Sequence, residues 1–239
     1  MPNYMLRLAF VGTNYHGWQV QPNLPTVQGK LKECLEKIFQ EEVKLIGCCR
    51  TDSGVHAQEY VANFNTSRPF EETSLLRALN SLLPKDIGVH SVSPVEDTFN
   101  ARYSVKGKTY LYRIWNSESR NPFLYPFSWQ IPTELDMEKL GESLELIRGL
   151  HDFSGFAKLE EEKNTMIELE TELRLSKPLI EIRFRASHFL RYMVRRIVGS
   201  LVKRAEGKLS RGEFEDYLRG KKSPHTAPPK GLTLEKVYL

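Results

Sequence analysis

Between Tyr4 and Val92 the apolar residues switch repeatedly between a short and a long period, and the order of those switches limits the folds open to the chain. Tyr4 to Val11 is a short apolar run around Arg7 and reads as a strand. Gly12-Thr13-Asn14 reads as a turn. Thr26 then precedes Val27, Leu31, Leu35 and Ile38, one apolar helix face with Thr26 as its N-cap. Val43 to Cys49 and Gln58 to Phe64 read as two strands, with the turn signal Asp52-Ser53-Gly54 between them. Thr73 or Ser74 is the expected cap of a helix carrying Leu75, Leu76, Leu79, Leu82 and Leu83, which Pro84 ends. Ile87 to Val92 is a further strand. Strand, helix, strand, strand, helix, strand is the split βαβ, or ferredoxin-like, plan. RRM modules use the same order to present a sheet to RNA, although a shared plan does not fix a function.

The rest of the chain approximates that order with extra pieces. Pro94 to Arg102 reads as a linker and Lys106 to Trp115 as a strand with Tyr110, Tyr112 and Ile114 on one face. Met137, Leu140, Leu144 and Ile147 mark a helix from about Asp136 to Arg148. Strands are expected at Glu170–Leu175 and Leu179–Ala186, a long helix from His188 to Ala205, a short one at Gly212–Leu218 and a last strand at Thr233–Tyr238. The run Glu160-Glu161-Glu162 reads as a solvated loop. The expected fold is therefore α+β. Two ferredoxin-like, RRM-like βαββαβ halves, residues 1–101 and 102–239, form a mixed, mainly antiparallel sheet with helices on one face.

Composition removes several classes of function. With 239 residues, 40% hydrophobic and 27% charged, the chain can bury a core and is not generally disordered. Cys34, Cys48 and Cys49 are too few for a disulfide scaffold or a cysteine zinc site, and reduced thiols fit the cytosol. The first residues show no signal peptide, and no apolar run approaches the length of a membrane span. The formal charge of +4 permits an anionic partner without requiring one.

The charge is uneven. Arg183, Arg185, Arg191, Arg195, Arg196, Lys203, Arg204 and Lys208 crowd one stretch in which Glu206 is the acidic exception. A stripe of that kind can track a phosphate backbone, and it can equally be a set of solvated faces with long snorkelling stems. Tyr15, His16, Trp18, Tyr103, Tyr110, Tyr112, Trp115, Phe189 and Tyr192 lie near Arg or Lys in sequence, as rings that hold unstacked bases do. Core packing is the other use of such rings.

The most unusual short segment is Arg50-Thr51-Asp52-Ser53-Gly54-Val55-His56-Ala57, which places a carboxylate at a turn between two apolar strands. It reads as an Asx-type turn or as a carboxylate set at a sheet edge for chemistry. A neighbouring second carboxylate, a Ser-His-Asp order, a Walker loop and a zinc HExxH are all missing. Gly12-Thr13-Asn14-Tyr15-His16-Gly17 has too few glycines to cradle phosphate.

That segment resembles the R-T-D-A-G-V-H-A signature of the TruA-type tRNA pseudouridine synthases. Gly17-Trp18-Gln19 with Gln21 is similar to the family's G-W-Q-x-Q, and Phe99-Asn100-Ala101-Arg102-Tyr103-Ser104 to its F-x-A-R-F-S. Lys108-Thr109-Tyr110-Leu111-Tyr112 resembles K-x-Y-x-Y, and His151-Asp152-Phe153 the N/H-D-F motif. Phe189 with Met193-Val194-Arg195-Arg196-Ile197-Val198-Gly199 resembles F-x-x-x-M-V-R-x-I-V-G, and Ala227-Pro228-Pro229-Lys230-Gly231-Leu232 resembles A-P-x-x-G-L. The matches span nearly the whole chain in the family order. Ser53, Cys49, Val11 and Asn164 depart from the family's usual Ala, Gly, Asp and Arg.

The resemblance implies isomerisation of uridine to pseudouridine within tRNA, without a cofactor. The N1–C1′ bond breaks, the uracil turns, and C5 bonds to C1′. It implies Asp52 as the essential carboxylate, attacking C1′, adding to C6 or assisting elimination towards a glycal, with Arg195 as its expected cationic partner. Tyr110 is implied to stack on the uracil and assist loss of the C5 proton, and Arg50 to fill the gap that the extruded uridine leaves. Arg191 and Lys203, in the basic stripe, are the expected phosphate contacts. The implied substrate is the 3′ side of the tRNA anticodon arm, engaged by a cytoplasmic homodimer with no membrane partner. The rivals are a non-catalytic RNA-binding protein, which has no need of Asp52, and a pseudouridine synthase acting on another RNA.

Overall fold

A computed structural model describes residues 1–159 and 164–239, so the run Glu160-Glu161-Glu162 lies outside the described residues. The chain forms two compact units, Met1–Lys106 with Leu234–Leu239, and Gly107–Thr233.

In the first unit the order is β1 (Asn3–Phe10), α1 (Val27–Phe39), β2 (Leu45–Gly47), β3 (His56–Asn65), α2 (Glu72–Leu82), β4 (Ile87–Val95) and a short α3 (Ala101–Ser104). The strands lie antiparallel in the order β4-β1-β3, with β2 on the outer edge of β3. This is the split βαβ plan that the periodicities predict. Along β1, Tyr4, Leu6, Leu8 and Phe10 are buried, while Arg7 on the other face pairs with Glu59 at 2.9 Å. The Thr26 hydroxyl accepts from the Gly29 N–H at 3.2 Å, the expected cap, and Leu31 and Leu35 are fully buried on α1. Each such leucine is worth about 2 kcal/mol of burial.

Three boundaries differ from the sequence reading. The cap of α2 is neither Thr73 nor Ser74 but Glu71, whose carboxylate accepts from the Ser74 and Thr73 N–H groups at 2.6 and 2.9 Å. The Ser74 side chain, and after it the Thr73 and Ser74 N–H groups, hold the Glu71 carboxyl down at about 2. The strand expected from Val43 to Cys49 shortens to Leu45–Gly47, paired with Phe64 to Ala62 of β3, beyond which the Cys48 N–H still donates to the Val61 carbonyl at 2.9 Å. The expected linker at Pro94 is the end of β4. Proline fits there because β4 is the outermost strand and needs no second set of N–H donors.

The second unit runs β5 (Gly107–Asn116), β6 (Trp129–Ile131), α4 (Met137–Leu146), β7 (Gly149–Asp152), β8 (Met166–Ser176), β9 (Leu179–Ala186), α5 (Met193–Ala205) and α6 (Arg211–Leu218). Its strands lie in the order β5-β9-β8-β7, antiparallel throughout, and β6 joins β5 in parallel. The order β5-β9-β8 repeats β1-β3-β2 of the first unit, so the two halves share a plan without sharing a sequence. β10 (Leu232–Tyr238) closes the chain and its last residues belong to the first unit, where the Val237 N–H donates to Glu59 at 3.2 Å. Helix α5 begins five residues later than its apolar pattern suggests. Tyr192 holds a left-handed backbone, φ 63°, and a helix cannot pass through that conformation. Strand β5 is buried on both faces rather than one, with Thr109 and Leu111 as inaccessible as Tyr110 and Tyr112.

Candidate active site

Asp52 lies in the loop between β2 and β3, half-buried, with Arg50 exposed two residues before it. That loop is sewn to the segment after β1. The Ser53 hydroxyl and the Gly54 N–H both donate to the Tyr15 carbonyl at 3.2 Å. The Trp18 N–H donates to the Thr51 carbonyl at 3.3 Å, and the Gly12 N–H donates to His56 Nδ1 at 3.0 Å. His56 therefore carries no proton on Nδ1. The Tyr60 hydroxyl donates to the Cys49 carbonyl and accepts from the Cys49 N–H at 3.4 Å, which fixes the approach to Arg50. Trp18, 1% exposed, stacks on Tyr60 with ring centres 4.1 Å apart. Tyr15 is anchored in turn by a 2.6 Å bond from its hydroxyl to Asp86, and burial together with that carboxylate pushes its phenol well up.

The stretch Gly12 to Trp18 thus acts as the bracket of the Asp52 loop. The sequence reading missed this use because it tested the glycines only as a phosphate cradle. Gly17 has φ +85°, and a Cβ on it would lie 2.3 Å from the Thr51 carbonyl oxygen. Gly17→Ala therefore meets both a strained backbone and a clash with the loop. Thermal unfolding is expected to show a loss of ~2 kcal/mol or more, with weaker turnover in the folded fraction.

In the second unit Tyr110 sits on β5 opposite Phe184, 7% exposed, its ring edge-to-face with Phe189 at 4.9 Å. Tyr112, two residues on, is fully buried. Its hydroxyl donates to the Pro228 carbonyl at 2.8 Å, and a Cβ on Gly231 would fall 2.5 Å from its ring. Burial raises the Tyr112 phenol strongly, and the charge of Arg195 only partly offsets it. Arg195, in the first turn of α5, donates from Nε to the Ala227 carbonyl at 2.9 Å. The Tyr192 ring lies 5.3 Å from its guanidinium and 5.2 Å from that of the exposed Arg191.

The basic stripe does not survive as one surface. Arg183 and Arg185 face Glu172 and Glu170 across β8, at 3.9 and 3.4 Å. Lys203 and Lys208 share Glu206 at 2.7 and 3.0 Å. Arg204 is buried against Ser143 and Glu142, and Arg196 turns inward to the Ala157 carbonyl. Counting charge along the chain could not see the carboxylates that the hairpin brings opposite. Asp152 of the His-Asp-Phe motif also has a local task. It accepts from the Ser154 N–H and hydroxyl at 2.8 and 3.0 Å. Burial opposes its ionised form, but the bonds from Ser154 and Thr165 prevail and hold the carboxyl below its usual range.

Chemically, the first unit offers a carboxylate on a loop fixed from several sides, able to act as nucleophile or base. The second offers a ring and a cation fixed by their own neighbours. Among the described residues no group of three or more His, Cys, Asp or Glu side chains is placed to hold a metal ion, and no helix is long and apolar enough to cross a membrane.

Known proteins carry the same pattern over the same length. A sequence model of the family described as tRNA pseudouridine synthase matches residues 8–104 and 144–238. The "tRNA pseudouridine synthase A" of Aquifex aeolicus is 62% identical over 241 residues, covering the whole of both chains. Those of Hydrogenobaculum sp. and Dictyoglomus turgidum are each 41% identical, over 100% and 99% of this chain and of their own length. With a family match over both units and full-length relatives far above chance identity, the chain belongs to the tRNA pseudouridine synthase A family.

Proposed function

We propose that this enzyme isomerises uridine to pseudouridine on the 3′ side of the tRNA anticodon arm, with Asp52 as the catalytic carboxylate. The observation that carries the reading is the Asp52 loop. Its backbone is bonded to Tyr15, Trp18 and Tyr60, so the carboxylate is held in place before substrate arrives. Tyr110 receives the uracil face, and Arg195 supports the charged form of the reacting carboxylate. Arg50, exposed, occupies the gap left by the extruded uridine. In the reaction the N1–C1′ bond breaks, C5 bonds to C1′, N1 ends protonated, and the C5 hydrogen leaves to water. Electrons balance within the nucleoside, so the chemistry is a redox-neutral rearrangement. The enzyme works as a homodimer in the cytoplasm, and a chain with three cysteines and no disulfide scaffold suits that compartment.

The direct test is tritium release from an unmodified tRNA transcript labelled at uridine C5. Release in step with pseudouridine at the anticodon arm is the expected result, and release confined to another RNA would move the enzyme to another substrate. Phosphate contact is tested separately. Arg191 is exposed, whereas Lys203 already sits on Glu206. Arg191→Ala is expected to flatten the log–log salt dependence of tRNA binding by about 0.7–0.9, and Lys203→Ala by less. Titrations at several salt concentrations decide between them, and the modified uridine should stay the same in both variants.

A further inference from the structure

The segment between β5 and β6 is closed by its own hydrogen bonds. Asn121 Oδ1 accepts from the Phe123 and Leu124 N–H groups at 3.0 and 3.3 Å, and its carbonyl from the Tyr125 N–H at 2.8 Å. The Ser128 hydroxyl donates to the Leu124 carbonyl at 2.7 Å, and Trp115 Nε1 to the Ser119 carbonyl at 2.7 Å. On this braced loop Phe123 is 87% exposed and Tyr125 47% exposed. A ring exposed to that degree gains little from burial on folding, so its apolar face is available to a partner. Cations stand beside Tyr125, two residues on from Phe123. Lys230 Nζ lies 3.5 Å from the centre of Tyr125 and the Arg120 guanidinium 5.8 Å from it, while Glu118 is the sole acidic residue from 116 to 131.

We propose that Phe123 and Tyr125, flanked by Arg120 and Lys230, form a stacking platform for unpaired nucleotides of the tRNA substrate. The inference rests on tRNA being that substrate. Ring faces next to cations match what a single strand offers, flat bases beside phosphates. Two rings are far too small an apolar area to hold a second copy of the chain, which needs more than 1,000 Å² in total. The platform also connects to the site. Lys230 precedes Gly231, whose backbone packs on Tyr112, and Tyr112 stands ~7 Å along β5 from Tyr110. Lys230 and Tyr110 thus belong to elements of the same unit that are joined through Tyr112.

The test uses the full-length enzyme, an unmodified tRNA transcript, and binding titrations at several salt concentrations. Phe123→Ala is expected to raise Kd roughly 5- to 100-fold with an unchanged salt slope, because stacking releases no counterions. Phe123→Trp is expected to restore binding. Lys230→Ala is expected to flatten the slope by about 0.7–0.9. The single-turnover rate at saturating tRNA should match wild type in all three. Wild-type Kd and slope in both alanine variants would overturn the platform. A change in sedimenting mass in Phe123→Ala with tRNA binding intact would also overturn it, giving the surface to a second copy. Failure of the underlying reading looks different, since wild type itself would then form no pseudouridine in tRNA.

Discussion

Asp52→Asn is expected to fold, to bind tRNA as wild type does, and to lose pseudouridine formation by roughly 10⁴-fold or more. The size of the loss follows from the role. A group that bonds to the substrate or moves its proton has no substitute in the site, whereas a group that only positions the substrate leaves partial activity. Survival of the fold follows from how the loop is held. The Trp18, Ser53, Gly54 and Val55 bonds run to the Thr51, Tyr15 and Asp52 carbonyls, and Asn leaves all of them in place. The measurements are thermal unfolding, tRNA titration and single-turnover pseudouridine formation on one preparation. Slow deamidation of the new Asn would return the carboxylate, so mass analysis and a parallel Asp52→Ala protein belong in the experiment. Turnover well above background in a preparation free of deamidation would remove Asp52 from the chemistry.

The plan of the first unit was legible because β1, α1 and α2 each bury one face and β3 is a short apolar run. Val27, Leu31 and Leu35 keep a helical period, Tyr4 to Phe10 a strand period, and the turn at Asp52 to Gly54 separates two apolar runs. What was not legible depends on contacts distant in sequence. The Gly12–Trp18 bracket is built from backbone groups, which leave no pattern in residue type apart from the glycines Gly12 and Gly17. The glutamates that answer Arg183 and Arg185 come from the neighbouring strand, so a basic stretch in sequence was not a basic face in space. The left-handed Tyr192 that delays α5 has a residue type that rarely takes that conformation, so nothing local announces it. The candidate residues themselves were found by motif, with Asp52 standing out by its turn and Tyr110 by its family resemblance. Their supports were not found, because support is a property of packing.

Packing also separates the two tyrosines of β5, which alternation puts on the same side of the strand. Tyr112 is already committed: its ring lies against Gly231 and its hydroxyl on the Pro228 carbonyl. Tyr110 meets Phe189 edge-on, an arrangement that can hold one side of a flat base. Tyr110→Phe keeps the ring and loses the hydroxyl. If that hydroxyl assists loss of the C5 proton, the single-turnover rate falls by roughly 10²–10⁴-fold while tRNA binding is retained. Tyr110→Leu loses the aromatic face as well and should be slower still, by the ~1–3 kcal/mol that a stacked base contributes. Tyr112→Phe removes one buried hydrogen bond, so it should cost stability of about 1 kcal/mol and leave the rate within a few-fold of wild type. Thermal unfolding and single-turnover rates on the three proteins separate the roles, because one tyrosine is expected to move the rate and the other the melting temperature. A crippled Tyr112→Phe beside a normal Tyr110→Phe would place the uracil against the other ring, and the Pro228 bond would then have to break when RNA binds.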